Sequence, residues 1–118
     1  MSKILVVDDA AFMRMRCTKL LQDNGYETME AANGIEAVQK YNECKPDAVL
    51  LDITMPDMDG IATLKKLVET DSQARIAMVT AMGQQSLVIE ALKSGARDFV
   101  VKPFNADRVL AAVKKITA

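Results

Sequence analysis

Five short apolar runs, each followed by a segment with helical periodicity, alternate along the whole chain. Four of the runs are continuously apolar, which is typical of parallel strands that are covered on both faces. They are residues 4–7, 48–51, 76–79 and 99–101. The remaining run, residues 26–31, mixes glutamates and a threonine with apolar side chains, which predicts a strand at a wetter edge of the sheet. The order βαβαβαβαβα therefore predicts an α/β fold with a doubly wound, five-stranded parallel sheet and right-handed crossovers.

Each of the five helical segments has a predicted apolar face. The faces are Met13, Cys17, Leu20 and Leu21; Ile35, Val38 and Tyr41; Ile61, Leu64, Leu67 and Val68; Val88, Ala91 and Leu92; and Val109, Val113 and Ile116. Asn33, three residues before Glu36, and Asn105 are predicted to cap the helices that follow them. Gly25 and Gly95 lie where helices should end.

Composition narrows the available chemistry. The 118 residues fit one domain, and 15 Lys and Arg balance 16 Asp and Glu, so no electrostatic footprint for nucleic acid or an anionic membrane is expected. The sequence has no His, which excludes His-based triads, His metal sites and a phosphohistidine on this chain. Cys17 and Cys44 are predicted to be free, partly buried thiols in a reducing cytoplasm. The apolar run near the start is too short and too soon followed by charge for a signal peptide, and no apolar run in the sequence has the length expected of a membrane span.

Polar side chains follow four of the runs, at the points where the strands should end. Asp8 and Asp9 follow the first run and Asp52 follows the third, while Thr80 and Lys102 follow the fourth and fifth. Taken singly, each has an ordinary structural explanation as a helix cap, a turn residue or a solvated side chain. Together they lie at the carboxyl ends of parallel strands, where open α/β sheets bind ligands. The sequence therefore predicts one polar site at this edge of the sheet.

The three aspartates predict a site for a divalent cation, because crowded carboxylates repel one another strongly. Mg²⁺ suits them best, since it prefers oxygen ligands. The charges of the three aspartates, Mg²⁺ and Lys102 sum to zero, so a phosphoryl group could approach without net repulsion. Asp52, on the central strand, is best placed to attack phosphorus and form an acyl phosphate. Thr80 and Lys102 would then donate hydrogen bonds to phosphoryl oxygens.

The segments ILVVDD, LLDITMPDMDG, VTAMG and FVVKPF, in this order, resemble those of the response-regulator receiver domains. The resemblance covers essentially the whole chain. It implies a flavodoxin-like (βα)5 fold with strand order 2-1-3-4-5, and a receiver domain over residues 1–118 without an output domain.

The resemblance also implies a role for each residue of the site. The implied roles are phosphoacceptor for Asp52; Mg²⁺ binding for Asp8, Asp9, Asp52 and the backbone carbonyl of Thr54; switch hydroxyl for Thr80; phosphate contact for Lys102; and a phosphorylation-dependent rotamer for Phe99. Phe99 has no hydroxyl, so its switch would be purely steric, and simple packing of this ring remains an alternative. A partner surface is predicted at Gln84, Gln85, Val88, Phe99 and Lys102.

The function implied by the resemblance is that of a phosphorylation-activated response regulator of a two-component system, in chemotaxis and flagellar motor control. Its partners would be a CheA-like sensor histidine kinase, a flagellar motor switch protein or another output protein, and an auxiliary phosphatase. The protein would be a cytoplasmic monomer and would catalyse only its own phosphorylation and dephosphorylation. Met82, which the resemblance places beside the phosphoryl group, cannot orient a hydrolytic water, so dephosphorylation is predicted to be slow.

Three alternatives remain open at this point. A response regulator outside motility would have the same site. A phosphohydrolase of the haloacid-dehalogenase type would use a D-x-D motif, whereas Thr54 stands where its second acid would be. A flavodoxin-like FMN carrier would need a Ser/Thr/Gly phosphate loop after the first strand, where Asp8 and Asp9 would repel phosphate.

Overall fold

The computed structural model describes residues 2–53, 55, 59–81, 83–103 and 105–118. Strands and helices alternate along these residues in the order predicted from the sequence. The strands are β1 (Lys3–Val7), β2 (Glu27–Ala31), β3 (Ala48–Asp52), β4 (Ile76–Ala81) and β5 (Asp98–Lys102). The helices are α1 (Ala11–Asp23), α2 (Gly34–Cys44), α3 (Gly60–Thr70), α4 (Gln85–Lys93) and α5 (Ala106–Thr117).

The strands form one sheet in the order β2-β1-β3-β4-β5, and every neighbouring pair is parallel. This confirms the predicted doubly wound fold and places β2 at an edge, as its mixed composition indicated. The strand order reverses direction between β1 and β3, because the chain first moves to β2 and then returns to the other side of β1. A crevice is expected outside the carboxyl ends of these two strands.

An apolar core lies on each face of the sheet, since successive side chains of a strand point to opposite faces. On β1, Leu5 and Val7 face the core that α2, α3 and α4 cover. Ile4 and Val6 face the core that α1 and α5 cover. A strand with helices on both faces must be apolar at every position, which explains the continuous runs that mark the inner strands in the sequence.

The predicted helix ends are confirmed. The side chains of Asn33 and Asn105 each accept a hydrogen bond, at 2.8 Å, from the backbone N–H three residues further on. Gly25 and Gly95, which follow α1 and α4, have φ angles of +89° and +118°. This left-handed backbone favours glycine, so both helices end where the sequence indicates.

Three apolar residues that were predicted on buried surfaces are exposed instead. The exposed fractions of Ile35, Leu92 and Val101 are 55%, 42% and 39%. Helical spacing locates an apolar stripe but not its exact width, and Ile35 and Leu92 lie beyond the part of the stripe that neighbouring elements cover. Val101 lies on β5, an edge strand of the described sheet, where one face is only partly covered.

The two cysteines were predicted to be free and partly buried. Both are free, but Cys17 is buried, whereas Cys44 is exposed at the end of α2. Burial raises the pKa of the Cys17 thiol to about 11, and the negative charge of Asp8 adds to this effect. Cys17 is therefore an unreactive core residue at neutral pH. In the described part of the chain, no helix has the length and apolar character needed to cross a membrane.

Candidate functional site

Three aspartates converge at the carboxyl ends of β1 and β3. One carboxylate oxygen from each of Asp8, Asp9 and Asp52 lies within 4.8 Å of the others. The pairing of Val7 with Leu51 brings the ends of the two strands together, so Asp8 and Asp52 become neighbours. Asp8 and Asp52 are buried, while Asp9 is exposed. The carboxylate cluster predicted from the sequence is therefore present in the structure.

Lys102 reaches this cluster from the carboxyl end of β5. Its Nζ lies 3.2 Å from Oδ2 of Asp8 and 3.6 Å from Oδ2 of Asp52. Burial alone would lower the pKa of Lys102, but the negative charges of Asp52 and Asp8 outweigh it and raise this pKa above its usual value. Lys102 is therefore protonated at neutral pH and supplies a fixed positive charge. The peptide bond between Lys102 and Pro103 is cis.

The charges of the cluster do not balance. Within the described part of the chain, three clustered carboxylates and the Lys102 ammonium group leave a net charge of −2 when all four groups are ionised. All three acidic donors offer oxygen atoms, which hard divalent cations prefer, so this pocket could hold a metal ion such as Mg²⁺. Two residues implied by the resemblance, Thr54 and Met82, lie outside the described residues.

The loop that carries Asp8 and Asp9 is held in place by its own backbone and by Arg14. Oδ1 of Asp8 accepts a hydrogen bond from the Ala10 N–H at 2.9 Å. A guanidinium nitrogen of Arg14 donates to the backbone carbonyl of Asp8 at 2.6 Å, and Nε of Arg14 donates to Glu30 on β2 at 2.9 Å. Arg14 was not singled out in the sequence, because a lone arginine in the second turn of a helix carries no distinctive pattern.

Gly60 fixes the backbone on which Asp52 lies. A Cβ atom at Gly60 would be 2.2 Å from the backbone oxygen of Asp52 and 2.5 Å from Cα of Ile53. The Gly60 N–H donates to the Ile53 carbonyl at 2.7 Å, which ties the start of α3 to the end of β3. No side chain fits at this position. The last residue of the LLDITMPDMDG segment must therefore be glycine for a steric reason, which the sequence alone did not show.

Thr80 is buried at the carboxyl end of β4. Its hydroxyl donates to Oε1 of Gln84 at 2.8 Å, and the Ala81 N–H donates to the same oxygen at 2.9 Å. The sequence placed Gln84 on a partner surface. Its side-chain oxygen contacts the end of β4, so Gln84 is also a direct neighbour of the predicted switch hydroxyl.

A mostly apolar groove of about 400 Å³ lies between α4 and β5. Its lining comes from Thr80, Ala81, Gly83, Gln84, Gln85, Val88, Ile89, Leu92, Phe99 and Val101. Phe99 is half-buried and packs against the core that α2, α3 and α4 cover. Four residues of the predicted partner surface thus line one groove, although Val88 is buried. Lys102, the fifth residue of the predicted surface, contacts the acidic cluster instead.

Residues 4–114 match the response regulator receiver domain family. The chemotaxis protein CheY of Bacillus subtilis is 60% identical over 114 residues, which cover 96% of this chain and 95% of that protein. CheY of Thermotoga maritima is 53% identical over 116 residues, with coverage of 98% and 97%. The crystal structure of the NtrX receiver domain from Brucella abortus is 32% identical with a TM-score of 0.94, and 97% of each chain is covered. A crystal structure of a longer NtrX chain from the same organism also matches, and there the match covers 98% of this chain but only 26% of the NtrX chain.

The chain therefore belongs to the response-regulator receiver domain family. Within that family its function is that of a chemotaxis response regulator, a signalling protein of the two-component phosphorelay. The strand order implied by the resemblance is the one the structure has.

Proposed function

We propose that Asp52 accepts the phosphoryl group of this response regulator and that a CheA-like sensor histidine kinase supplies it. One observation carries this assignment. Asp52 lies at the carboxyl end of the central strand, within a cluster of three carboxylates, and its carboxylate is 3.6 Å from the ammonium group of Lys102. This side chain combines a nucleophilic oxygen with a neighbouring positive charge that is aimed at the same crevice.

In the transfer, a carboxylate oxygen of Asp52 forms a bond to phosphorus while the bond between phosphorus and the kinase imidazole nitrogen breaks. The imidazole keeps the electron pair of that bond, and Asp52 becomes an acyl phosphate. Lys102 donates a hydrogen bond to one phosphoryl oxygen, and the hydroxyl of Thr80 donates to another.

Asp8, Asp9 and Asp52, together with the backbone carbonyl of Thr54, are the residues that would hold Mg²⁺. The ion supplies positive charge that offsets the repulsion between the carboxylates and the phosphoryl oxygens. Arg14 and the Ala10 N–H keep Asp8 oriented toward the crevice, which limits the reorganisation that metal binding requires.

We further propose that this receiver domain passes its signal on through one of its surfaces. The surface is the groove between α4 and β5, and Gln84, Gln85, Val88 and Phe99 would contact a flagellar motor switch protein.

We also propose that the protein works as a monomer in the cytoplasm. Its chemistry would be limited to its own phosphorylation and dephosphorylation. An auxiliary phosphatase would reset the signal. Slow self-dephosphorylation remains a prediction of the sequence, because it depends on Met82.

The purified protein, incubated with acetyl phosphate and Mg²⁺, tests the acceptor assignment by intact-mass spectrometry. We expect one covalent phosphoryl group on the wild type and none on Asp52→Asn, because an amide lacks the anionic oxygen that attacks phosphorus. The variant should remain folded, since Asn preserves the shape of Asp. Asp23→Asn, on the exposed end of α1, is the matched control and should be phosphorylated normally.

Three outcomes would contradict the proposal. A phosphoryl group on Asp52→Asn would show that the acceptor is another residue. Continuous phosphate release without a retained phosphoryl group would favour a phosphohydrolase, and no reaction would contradict both. Pull-downs with the phosphorylated protein and with Asp52→Asn then test the output partner, because a chemotaxis regulator should retain a motor switch protein only when it is phosphorylated.

A further inference from the structure

Gln84 joins the end of β4 to the start of α4. It is the N-terminal cap residue of α4, and its backbone carbonyl accepts hydrogen bonds from the N–H groups of Leu87 and Val88, both at 3.1 Å. Its side-chain Oε1 accepts the Thr80 hydroxyl at 2.8 Å and the Ala81 N–H at 2.9 Å. One residue thus begins the helix with its backbone and holds the neighbouring strand with its side chain.

The hydroxyl of Thr80 has a single proton to donate. Two acceptors lie within reach of this proton, Oε1 of Gln84 at 2.8 Å and the backbone carbonyl of Ala81 at 3.2 Å, and the contact with Gln84 is the shorter. Thr80 is only 2% exposed, so water does not readily replace a lost partner. In the proposed function the same proton is donated to a phosphoryl oxygen on Asp52. The Gln84 side chain and the phosphoryl group therefore compete for one donor.

We propose that Gln84 is a positioning residue that holds Thr80 in the unphosphorylated conformation and must release it when Asp52 is phosphorylated. This inference rests on the proposed function. Gln84 also lines the groove between α4 and β5, together with Phe99 and Val88. When Thr80 turns away, Gln84 loses one of the two β4 donors that its oxygen holds, and the start of α4 is less firmly tied to the sheet. Release of Gln84 thereby couples phosphorylation in the acidic cluster to the conformation of the groove.

The size and sign of the effect follow from linkage. A contact that exists only in the unphosphorylated conformation lowers the apparent affinity for anything that requires the other conformation. One neutral hydrogen bond corresponds to a factor of about five in such an equilibrium. Removing the Gln84 oxygen should therefore increase the affinity for a phosphoryl group about fivefold.

Beryllium trifluoride, a noncovalent mimic of the phosphoryl group, provides the measurement. Its dissociation constant, in the presence of Mg²⁺, is determined for the wild type, Gln84→Met and Gln39→Met by fluorine NMR. Methionine keeps the length of glutamine, lacks the amide oxygen and suits an apolar groove. Gln39, which is exposed on α2, provides the same exchange at a distance from the site. We expect binding about fivefold tighter for Gln84→Met and unchanged binding for Gln39→Met.

The Thr80→Val background shows whether the effect acts through the hydroxyl. Valine has the shape of threonine but no proton to donate, so adding Gln84→Met to this variant should change the affinity less than twofold. A fivefold effect that persists without the hydroxyl would overturn the inference, as would equal affinities of wild type and Gln84→Met. Gln84→Ala, which should act in the same direction, replaces Gln84→Met if melting curves show that the latter does not fold.

Failure of the proposed function has a different signature. If the wild type does not bind beryllium trifluoride, or if Asp52→Asn binds it equally well, the phosphoacceptor assignment is wrong regardless of Gln84. If the wild type binds and Asp52→Asn does not, that assignment holds and the affinities of the Gln84 variants decide the inference alone.

Discussion

Strand β5 carries an ion pair at each end, and the two pairs differ in charge balance. At its amino end, Asp98 lies 3.1 Å from a guanidinium nitrogen of Arg108. At its carboxyl end, Lys102 lies 3.2 Å from Asp8 and 3.6 Å from Asp52. Among the described residues, one carboxylate pairs with one cation at the first end. At the second end, Lys102 pairs with two carboxylates of a cluster of three. The first pair is balanced, whereas the cluster keeps an excess of negative charge that a further cation would offset.

The balanced pair serves the edge of the sheet. Asp98 accepts the Phe99 N–H at 2.8 Å, and Arg108 donates to the Phe99 carbonyl. The backbone groups that Phe99 presents at this edge strand are therefore occupied by side chains, which blocks pairing with another chain. Burial alone would raise the pKa of Asp98, but the hydrogen bonds from Arg108 and the Phe99 N–H, with the charge of Arg108, lower it.

The largest loss of stability should come from a change at Gly60, an uncharged residue that supports the backbone of Asp52 in the acidic cluster. Gly60→Ala places a methyl group 2.2 Å from the Asp52 carbonyl, so the end of β3 or the start of α3 must move. We expect a loss of about 3 kcal/mol in the free energy of unfolding and slower phosphorylation, because overpacking displaces Asp52. Urea denaturation and the rate of reaction with acetyl phosphate check this.

Gly25→Ala is the control for this prediction. At Gly25 the φ angle is +89°, but no atom lies within 4 Å of an added Cβ. The loss should therefore be about 1 kcal/mol, from backbone strain alone, with normal phosphorylation. Equal losses in the two variants would mean that the close approach of Gly60 to β3 does not constrain the site.

Breaking the balanced pair should affect stability but not phosphorylation. Asp98→Ala removes the acceptor of Arg108 and of the Phe99 N–H, so we expect a loss of about 2 kcal/mol at pH 7. The pKa of Asp98 is lower in the folded protein than in the unfolded chain. Its contribution is therefore fully present above the unfolded value of about 3.9 and is lost as the pH falls through the folded value.

Denaturant unfolding of wild type and Asp98→Ala between pH 7 and pH 2 measures this contribution. The difference between the two proteins should be constant from pH 7 to about pH 5 and should shrink below about pH 4. Asp23→Ala, which removes an exposed carboxylate on α1, should show little difference at any pH. A difference for Asp98→Ala that grows on acidification would contradict the assigned direction of the pKa shift.

The fold and the position of the acidic cluster could be predicted because both follow from strand boundaries. Inner strands such as β1 and β3 are buried on both faces, which leaves an apolar run that ends at a polar residue. Asp8 and Asp52 mark two of these ends, and the carboxyl ends of parallel strands meet at one edge of the sheet. Strand composition alone also placed β2 at an edge.

The contacts between elements could not be predicted in the same way. The bond between Thr80 and Gln84 depends on where α4 begins relative to β4, and one helical residue more or less would break it. The approach of Gly60 to β3 depends on the path of the chain between them. Similarly, apolar character alone does not distinguish Leu92, which is exposed, from Ala91, which is buried, because the width of a buried stripe depends on the neighbouring elements.

The smallest expected effect is the stabilisation of the protein by Mg²⁺, which tests the excess negative charge of the acidic cluster. A cation that binds only the native site stabilises it by RT ln(1 + [L]/Kd), so Mg²⁺ at ten times its dissociation constant should add about 1.4 kcal/mol. Asp9→Ala should remove most of this gain, and without Mg²⁺ it should be no less stable than the wild type, because one of three crowded negative charges is gone. Asp98→Ala, which alters the balanced pair, should keep the full gain. Melting temperatures that do not respond to millimolar Mg²⁺ would show that the excess charge at the carboxyl end of β5 does not form a metal site.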